Sequence, residues 1–221
     1  MIRYLYANQL RAFPQLARSM FLDRADQFRT LLGWDVRGDG NGEERDKYDD
    51  RKPICVIWEN VDGSQGGAMR LLPTVEGCMV NDHFLHLTDG VRIESPLIWE
   101  CTRFCLARDT DPSAAAALMQ KGARSCIASA CAIISGVFDT RMVRIYKRIG
   151  ASPDVLGTQG EGRERISVGL GNSLPELRSA SAQASTRRNR VRGSMRPSAS
   201  LPRPWTRPSR RSRLRPPSPH E

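Results

Sequence analysis

Three short segments set ionisable side chains among apolar neighbours: Glu44-Arg45-Asp46-Lys47-Tyr48-Asp49, Met69-Arg70-Leu71-Leu72-Pro73-Thr74 and Trp99-Glu100-Cys101-Thr102-Arg103. Charges held at the edge of a core must be paired or must meet a charged ligand, because desolvating them alone is too costly. A zwitterionic or sulfonium-bearing small molecule would satisfy both signs at once. Asp46 and Asp49 lie three apart around Tyr48, so on a turn they could face one ligand ammonium. Glu100, between Trp99 and Cys101, is expected to be half buried in a strand, which raises a carboxyl pKa unless an arginine compensates. Arg70 and Arg103 are the candidate compensators, and a purely structural ion-pair network would use the same residues.

Upstream stand Arg24, Phe28 and Trp34, so the chain reads R-x-x-x-F-x-x-x-x-x-W, then E-x-D-x-Y-D, then R-L-L-P-T, then W-E-x-T-R. In that order and spacing the sequence resembles the acyl-homoserine lactone synthases of the LuxI type, which make bacterial quorum-sensing signals. The resemblance runs from about Met1 to about Leu170. It implies an α/β (α+β) fold, a three-layer α/β/α arrangement with a mixed sheet, similar to the acetyltransferases. It also implies a reaction. S-adenosylmethionine, a substrate and not a cofactor, donates its amine to an acyl group carried as a thioester on acyl carrier protein; its carboxylate then displaces methylthioadenosine to close the lactone.

That chemistry asks for a base to free the ammonium, donors for the thioester oxyanion and opposite charges to orient the amino acid. By resemblance the catalytic set is Glu100, Asp46 and Arg103, with Glu100 as the base, directly or through water, and Asp46 as the alternative. Arg24, Phe28 and Trp34 would form a lid over S-adenosylmethionine, its aromatic faces attracting a sulfonium or stacking on adenine. Asp49, Arg70 and Phe84 complete the substrate-binding set. Arg141, Arg144, Lys147 and Arg148 form a basic patch where the acidic carrier protein would dock, although a basic helix is otherwise a solvated face. The stretch Ser135-Gly136-Val137-Phe138 lacks the threonine that some members preferring a 3-oxo chain place there, which points to an unsubstituted or hydroxylated chain.

The elements that must position these residues follow from periodicity. Ile2 to Tyr6 alternates as a strand, and Leu10, Phe13, Leu16, Ala17, Met20, Phe21, Phe28 and Leu31 recur at helical spacing over residues 8–32. Residues 38–50 read as a loop, 53–59 and 67–72 as a hairpin turning at Asp62-Gly63, and 74–92 as a long connection expected to be mobile or functional. Residues 97–106 form a strand in which Glu100 and Thr102 share a face and Arg103 points away, unless a bulge near Thr102 or a twist at the strand end brings Glu100 and Arg103 together. Asp111-Pro112-Ser113 should cap a helix over 114–130, followed by a strand over 133–138, a helix over 140–149 closed by Gly150 and a last strand over 165–170.

The sequence of 221 residues carries a formal charge of +10, and residues 173–221 hold twelve arginines against two glutamates, which is all of it. Residues 1–170 are therefore expected to be the catalytic domain and 171–221 a disordered Arg/Pro/Ser-rich tail. Arg, Pro, Ser and Ala are also what GC-rich DNA encodes in a shifted frame, and a frameshifted end is the reading adopted. Six cysteines, without a C-x-x-C or a secretory signal, are expected to be reduced thiols of a cytoplasmic protein, and no metal site is expected. No apolar run is long enough to span a membrane.

Two other functions have some support. Gly157-Thr-Gln-Gly160-Glu-Gly162 imitates the pyrophosphate loop of coenzyme A-dependent GNAT-type N-acyltransferases, yet it lacks the leading Gln or Arg and runs into a strand instead of opening a helix. The arginine-rich tail could belong to a nucleic-acid-binding protein, with steeply salt-dependent binding that vanishes when residues 173–221 are removed.

Overall fold

The computed structural model describes residues 1–34, 36, 38–111, 113–128, 132–149 and 152–172. The readings made above for Pro112, Gly150 and the tail from Ser173 lie outside the described residues.

The architecture is a seven-stranded mixed sheet in the order β1-β2-β3-β4-β5-β7-β6. Its strands are β1 (Ile2–Tyr6), β2 (Ile54–Glu59), β3 (Gln65–Pro73), β4 (Ile98–Leu106), β5 (Ile133–Asp139), β6 (Asp154–Gln159) and β7 (Ile166–Asn172). All neighbours pair antiparallel except β4 and β5, which run parallel and pair only from Ile98↔Ile133 to Glu100↔Ser135. Beyond Glu100 the two strands part. The helices are α1 (Pro14–Ala25), α2 (Met79–His83), α3 (Ser113–Ala128) and α4 (Met142–Ile149).

Strand alternation divides the core. Cys55, Ile57, Ala68 and Cys105 face α1 and pack on Leu16, Ala17, Met20 and Phe21, while Ile54, Val56, Met69 and Leu71 face Leu118 of α3. The helical stretch expected over 8–32 is interrupted at Pro14, which has no N–H to continue a preceding turn. A 3₁₀ turn (Ala7–Ala12) precedes α1, and a π-helical turn (Asp26–Leu31) follows it.

β4 contains a bulge, one of the two distortions considered above. Arg70 is in register with Thr102 and Ala68 with Cys105, so Met69 of β3 alone opposes both Arg103 and Phe104 of β4. Arg103 takes the strain, with φ of 51° in the left-handed region that a side chain disfavours. The bulge does not bring Glu100 to Arg103, as supposed above; the two find different partners.

Two stretches carry more regular structure than their sequence displays. The connection over 74–92 is folded into short helical turns: Asn81 donates to Ile93 O at 2.8 Å and accepts from Ile93 N–H at 2.9 Å, and Thr74 donates to Ser95 O and Ile98 O. The polar side chains take the place of a strand ladder, so composition alone did not reveal the order. Residues 154–159, to which no element is assigned above, form an edge strand; Val155 and Leu156 are both exposed, which erases the alternation that marks a half-buried strand. The glycine of the pyrophosphate-loop imitation has a packing reason. A Cβ at Gly157 would lie 1.9 Å from the Leu87 carbonyl oxygen.

Candidate active site

α1 buries Leu16, Ala17, Met20, Phe21, Arg24 and Ala25, so one face of an apolar stripe carries a guanidinium. Arg24 is 1% exposed. It survives there because the loop over 43–49 delivers carboxylates to it. That loop folds on its own acids: Asp46 accepts from the Tyr48 N–H at 2.9 Å and Asp49 from the Asp46 N–H at 3.0 Å, local turns that Asp is suited to make. Tyr48, 2% exposed, anchors the loop with its ring buried and its hydroxyl donated to Asp82 at 2.8 Å.

The result is a closed ring of alternating charges. Arg24 pairs with Glu44, Glu44 with Arg103, Arg103 with Asp46, Asp46 with Arg70, Arg70 with Asp49, and Asp49 returns to Arg24, every contact within 2.5–2.9 Å. Arg70 also donates to Thr102 Oγ1 at 2.9 Å. Three cations balance three anions, which is how this much charge tolerates burial. The arginines hold the Asp46 and Asp49 carboxyls below the usual range against the opposing effect of burial. Glu44, fully buried and paired twice, is the residue sequence reasoning left out of the site. The signal was present, since it opens the acidic motif.

Over the ring, Phe28 stacks on Trp34 with ring centroids 5.2 Å apart, and the Arg103 guanidinium lies 5.2 Å from the Phe28 centroid. Phe28 is buried and Trp34 is 45% exposed, so the pair has one face in the core and one open.

Glu100 is fully buried, one carboxylate oxygen accepting from the Met79 N–H at 2.8 Å and the other from the Val80 N–H at 2.7 Å. Desolvation pushes its carboxyl up to about 7, against the two amides and the more distant Arg70. Arg103 does not compensate it, contrary to the expectation; Arg70 does so only through space. Phe84 lies at the end of α2, edge-on to His83 at 6.5 Å and removed from the ring's own contacts. Arg144, Lys147 and Arg148 are exposed on α4, and Arg141, just before the helix, pairs with Asp139. Cys55, Cys78, Cys101 and Cys105 are free thiols, with burial raising each, and among the described residues no cluster could hold a metal ion. No helix among them is long and apolar enough to cross a membrane.

Comparison with known proteins identifies the family and the fold. The autoinducer synthase family profile matches residues 8–173. An acyl-homoserine-lactone synthase of Rhizobium etli is 36% identical over 179 residues, 77% of this chain and 83% of the relative. Another, from Ralstonia nicotianae, is 35% identical over 54% of this chain and 63% of its own. Among solved structures, the AHL synthase LasI superposes with a TM-score of 0.72 at 22% identity, covering 81% of this chain and 93% of LasI. The CoA-dependent synthase BjaI, solved with SAM and isopentyl-CoA, gives 0.75 at 22% identity over 84% and 89%. A putative N-acetyltransferase from Lactobacillus plantarum shares the fold at a TM-score of 0.53 and 10% identity, over 78% of this chain and 99% of its own. The acetyltransferase-like layers are thus common ground, and the family profile and the curated relatives are those of the synthases: the chain belongs to the autoinducer synthase family and is an acyltransferase of the acyl-homoserine-lactone synthase kind.

Proposed function

We propose that this chain transfers an acyl group from acyl carrier protein to the amine of S-adenosylmethionine and then closes the lactone. The observation that carries the reading is the neutral charge ring, with the Phe28–Trp34 stack against its Arg103 and with Asp46 and Asp49 partly exposed. A substrate bearing an ammonium, a carboxylate and a sulfonium presents the charges that these groups complement. Asp46 and Asp49 orient the ammonium, Arg24 and Arg70 keep both acids ionised, and Arg103 faces the carboxylate.

Glu100 is the proposed proton acceptor, acting through water because its carboxyl is enclosed; a group titrating near 7 is suited to that task. Asp46, held ionised by two arginines, is the weaker base. The freed amine attacks the thioester carbonyl and the thiol leaves with a proton. A carboxylate oxygen then attacks the carbon bearing the sulfonium, and the C–S electron pair departs with methylthioadenosine.

The exposed Arg144, Lys147 and Arg148, with Arg141 beside them, favour an acidic carrier protein as donor. A coenzyme A thioester is the second reading, suggested by the CoA-dependent synthase BjaI. Supplying the purified chain with S-adenosylmethionine and either donor separates the two: turnover with acyl carrier protein alone supports the first, turnover with coenzyme A alone the second. The Arg/Pro/Ser-rich segment from Ser173 stands outside this reading, and sequencing the gene across codons 165–180 tests the shifted-frame origin.

A further inference from the structure

Asp26, Gln27 and Phe28 are consecutive in the π-helical turn, and each grips β4 or the residues just past it. Asp26 accepts from the Arg108 guanidinium through both oxygens, and Phe28 lies against Arg103. Gln27 does something else. Its amide donates from Nε2 to the Phe104 carbonyl at 3.0 Å and accepts at Oε1 from the Leu106 N–H at 3.2 Å. One side-chain amide thus pairs with the two backbone groups flanking Cys105, as a neighbouring strand would.

Those groups point away from β3. Cys105 is in register with Ala68, and the Ala107 N–H bonds to Gly66 O at 3.0 Å, so strand alternation turns Phe104 O and Leu106 N–H to the opposite edge. That is the edge β5 covers only as far as Glu100. The clamp begins one residue after Arg103, whose left-handed φ of 51° persists only where its surroundings over-determine it.

We propose that Gln27 is a positioning residue: its amide replaces the missing strand on β4, fixes the bulge and thereby sets the Arg103 guanidinium in the charge ring. Phe28 and Arg103 are legible from motif; Gln27 lies between motif positions and is identified only by its two contacts. The catalytic part of this inference rests on the proposed synthase reaction, whereas the clamp itself does not.

Two measurements test it. Hydrogen exchange at the Leu106 amide, which needs no substrate, should quicken by about tenfold or more in Gln27→Leu and less in Gln27→Glu, which keeps the acceptor. In lactone assays Gln27→Leu should lower kcat/KM for the amine substrate about tenfold, yet by less than about twofold in an Arg103→Lys background. Gln27→Glu, should the leucine variant not fold, should recover activity relative to the parent as pH falls and its carboxyl regains a donor. Unchanged exchange in both variants, or equal losses in both backgrounds, would overturn the proposal. If the parent chain makes no lactone, the proposed function fails while the exchange result still decides the clamp.

Discussion

Arg24 and Asp49 meet through two parallel hydrogen bonds, 2.9 Å from Nη1 to Oδ1 and 3.0 Å from Nη2 to Oδ2, joining α1 to the acidic loop 25 residues later. Asp49 also accepts from Arg70 at 2.8 Å. A single carboxylate therefore bridges two buried guanidinium groups, each of which has a second acid beside it.

Replacing it leaves both cations under-compensated. Asp49→Asn should destabilise the fold by about 3 kcal/mol, the scale for breaking a buried ion pair. The sign of the pH effect follows from its depressed folded pKa: the contribution is complete above the unfolded value of about 4 and is lost as pH falls through the lower folded one. Urea unfolding at pH 7 and pH 3 should show the parent losing more stability on acidification than the variant. Equal losses would remove Asp49 from the account.

Glu100 gives the opposite slope. Its folded pKa is raised to about 7, so the folded protein binds the proton more tightly and ionisation costs stability progressively as pH rises from about 4.5 to 7. The stability advantage of the parent over Glu100→Gln should shrink by about 3 kcal/mol across that window and then level off. The same substitution should abolish lactone production while leaving a folded protein; near-normal turnover would take Glu100 out of the base role.

Gly157→Ala tests the explanation for a glycine that imitates a phosphate loop. The added methyl would collide with the Leu87 carbonyl, a backbone atom that cannot swing aside, so calorimetry should record a loss of about 1–3 kcal/mol. An unchanged melting temperature would show that the close approach of β6 to the turn at Leu87 is wrong.

Reversing charge on α4 examines the donor. Arg144→Glu with Arg148→Glu should raise KM for the acyl carrier protein about tenfold or more, with a weaker salt dependence than the parent, and leave KM for S-adenosylmethionine unchanged. A parallel rise in both constants would mean that the helix matters only for folding.

The motif-bearing residues were readable from sequence because charge inside an apolar run is a rare pattern with few physical explanations. The parity conflict between Glu100 and Arg103 pointed to a bulge or a twist near Thr102, and the register shift there is the bulge. Its consequence was misjudged: Arg103 turned to Glu44 and Asp46, and Glu100 to backbone amides, because which partner a charge takes depends on loops folded from far away. The strand at 154–159 was hidden by exposure on both faces, and the order of 74–92 by hydrogen bonds from Thr74 and Asn81 that leave no periodic trace. Glu44 was in view but undistinguished from its neighbours until the ring closed through it.

The most direct measurement is product analysis of the purified full-length chain given S-adenosylmethionine and an acyl carrier protein loaded with a saturated acyl chain. Mass spectrometry should find acyl-homoserine lactone and methylthioadenosine rising together in equal amounts, with both lost in Glu100→Gln. Acylation of some other amine without methylthioadenosine release, or no product from a folded protein with either thioester donor, would contradict the account.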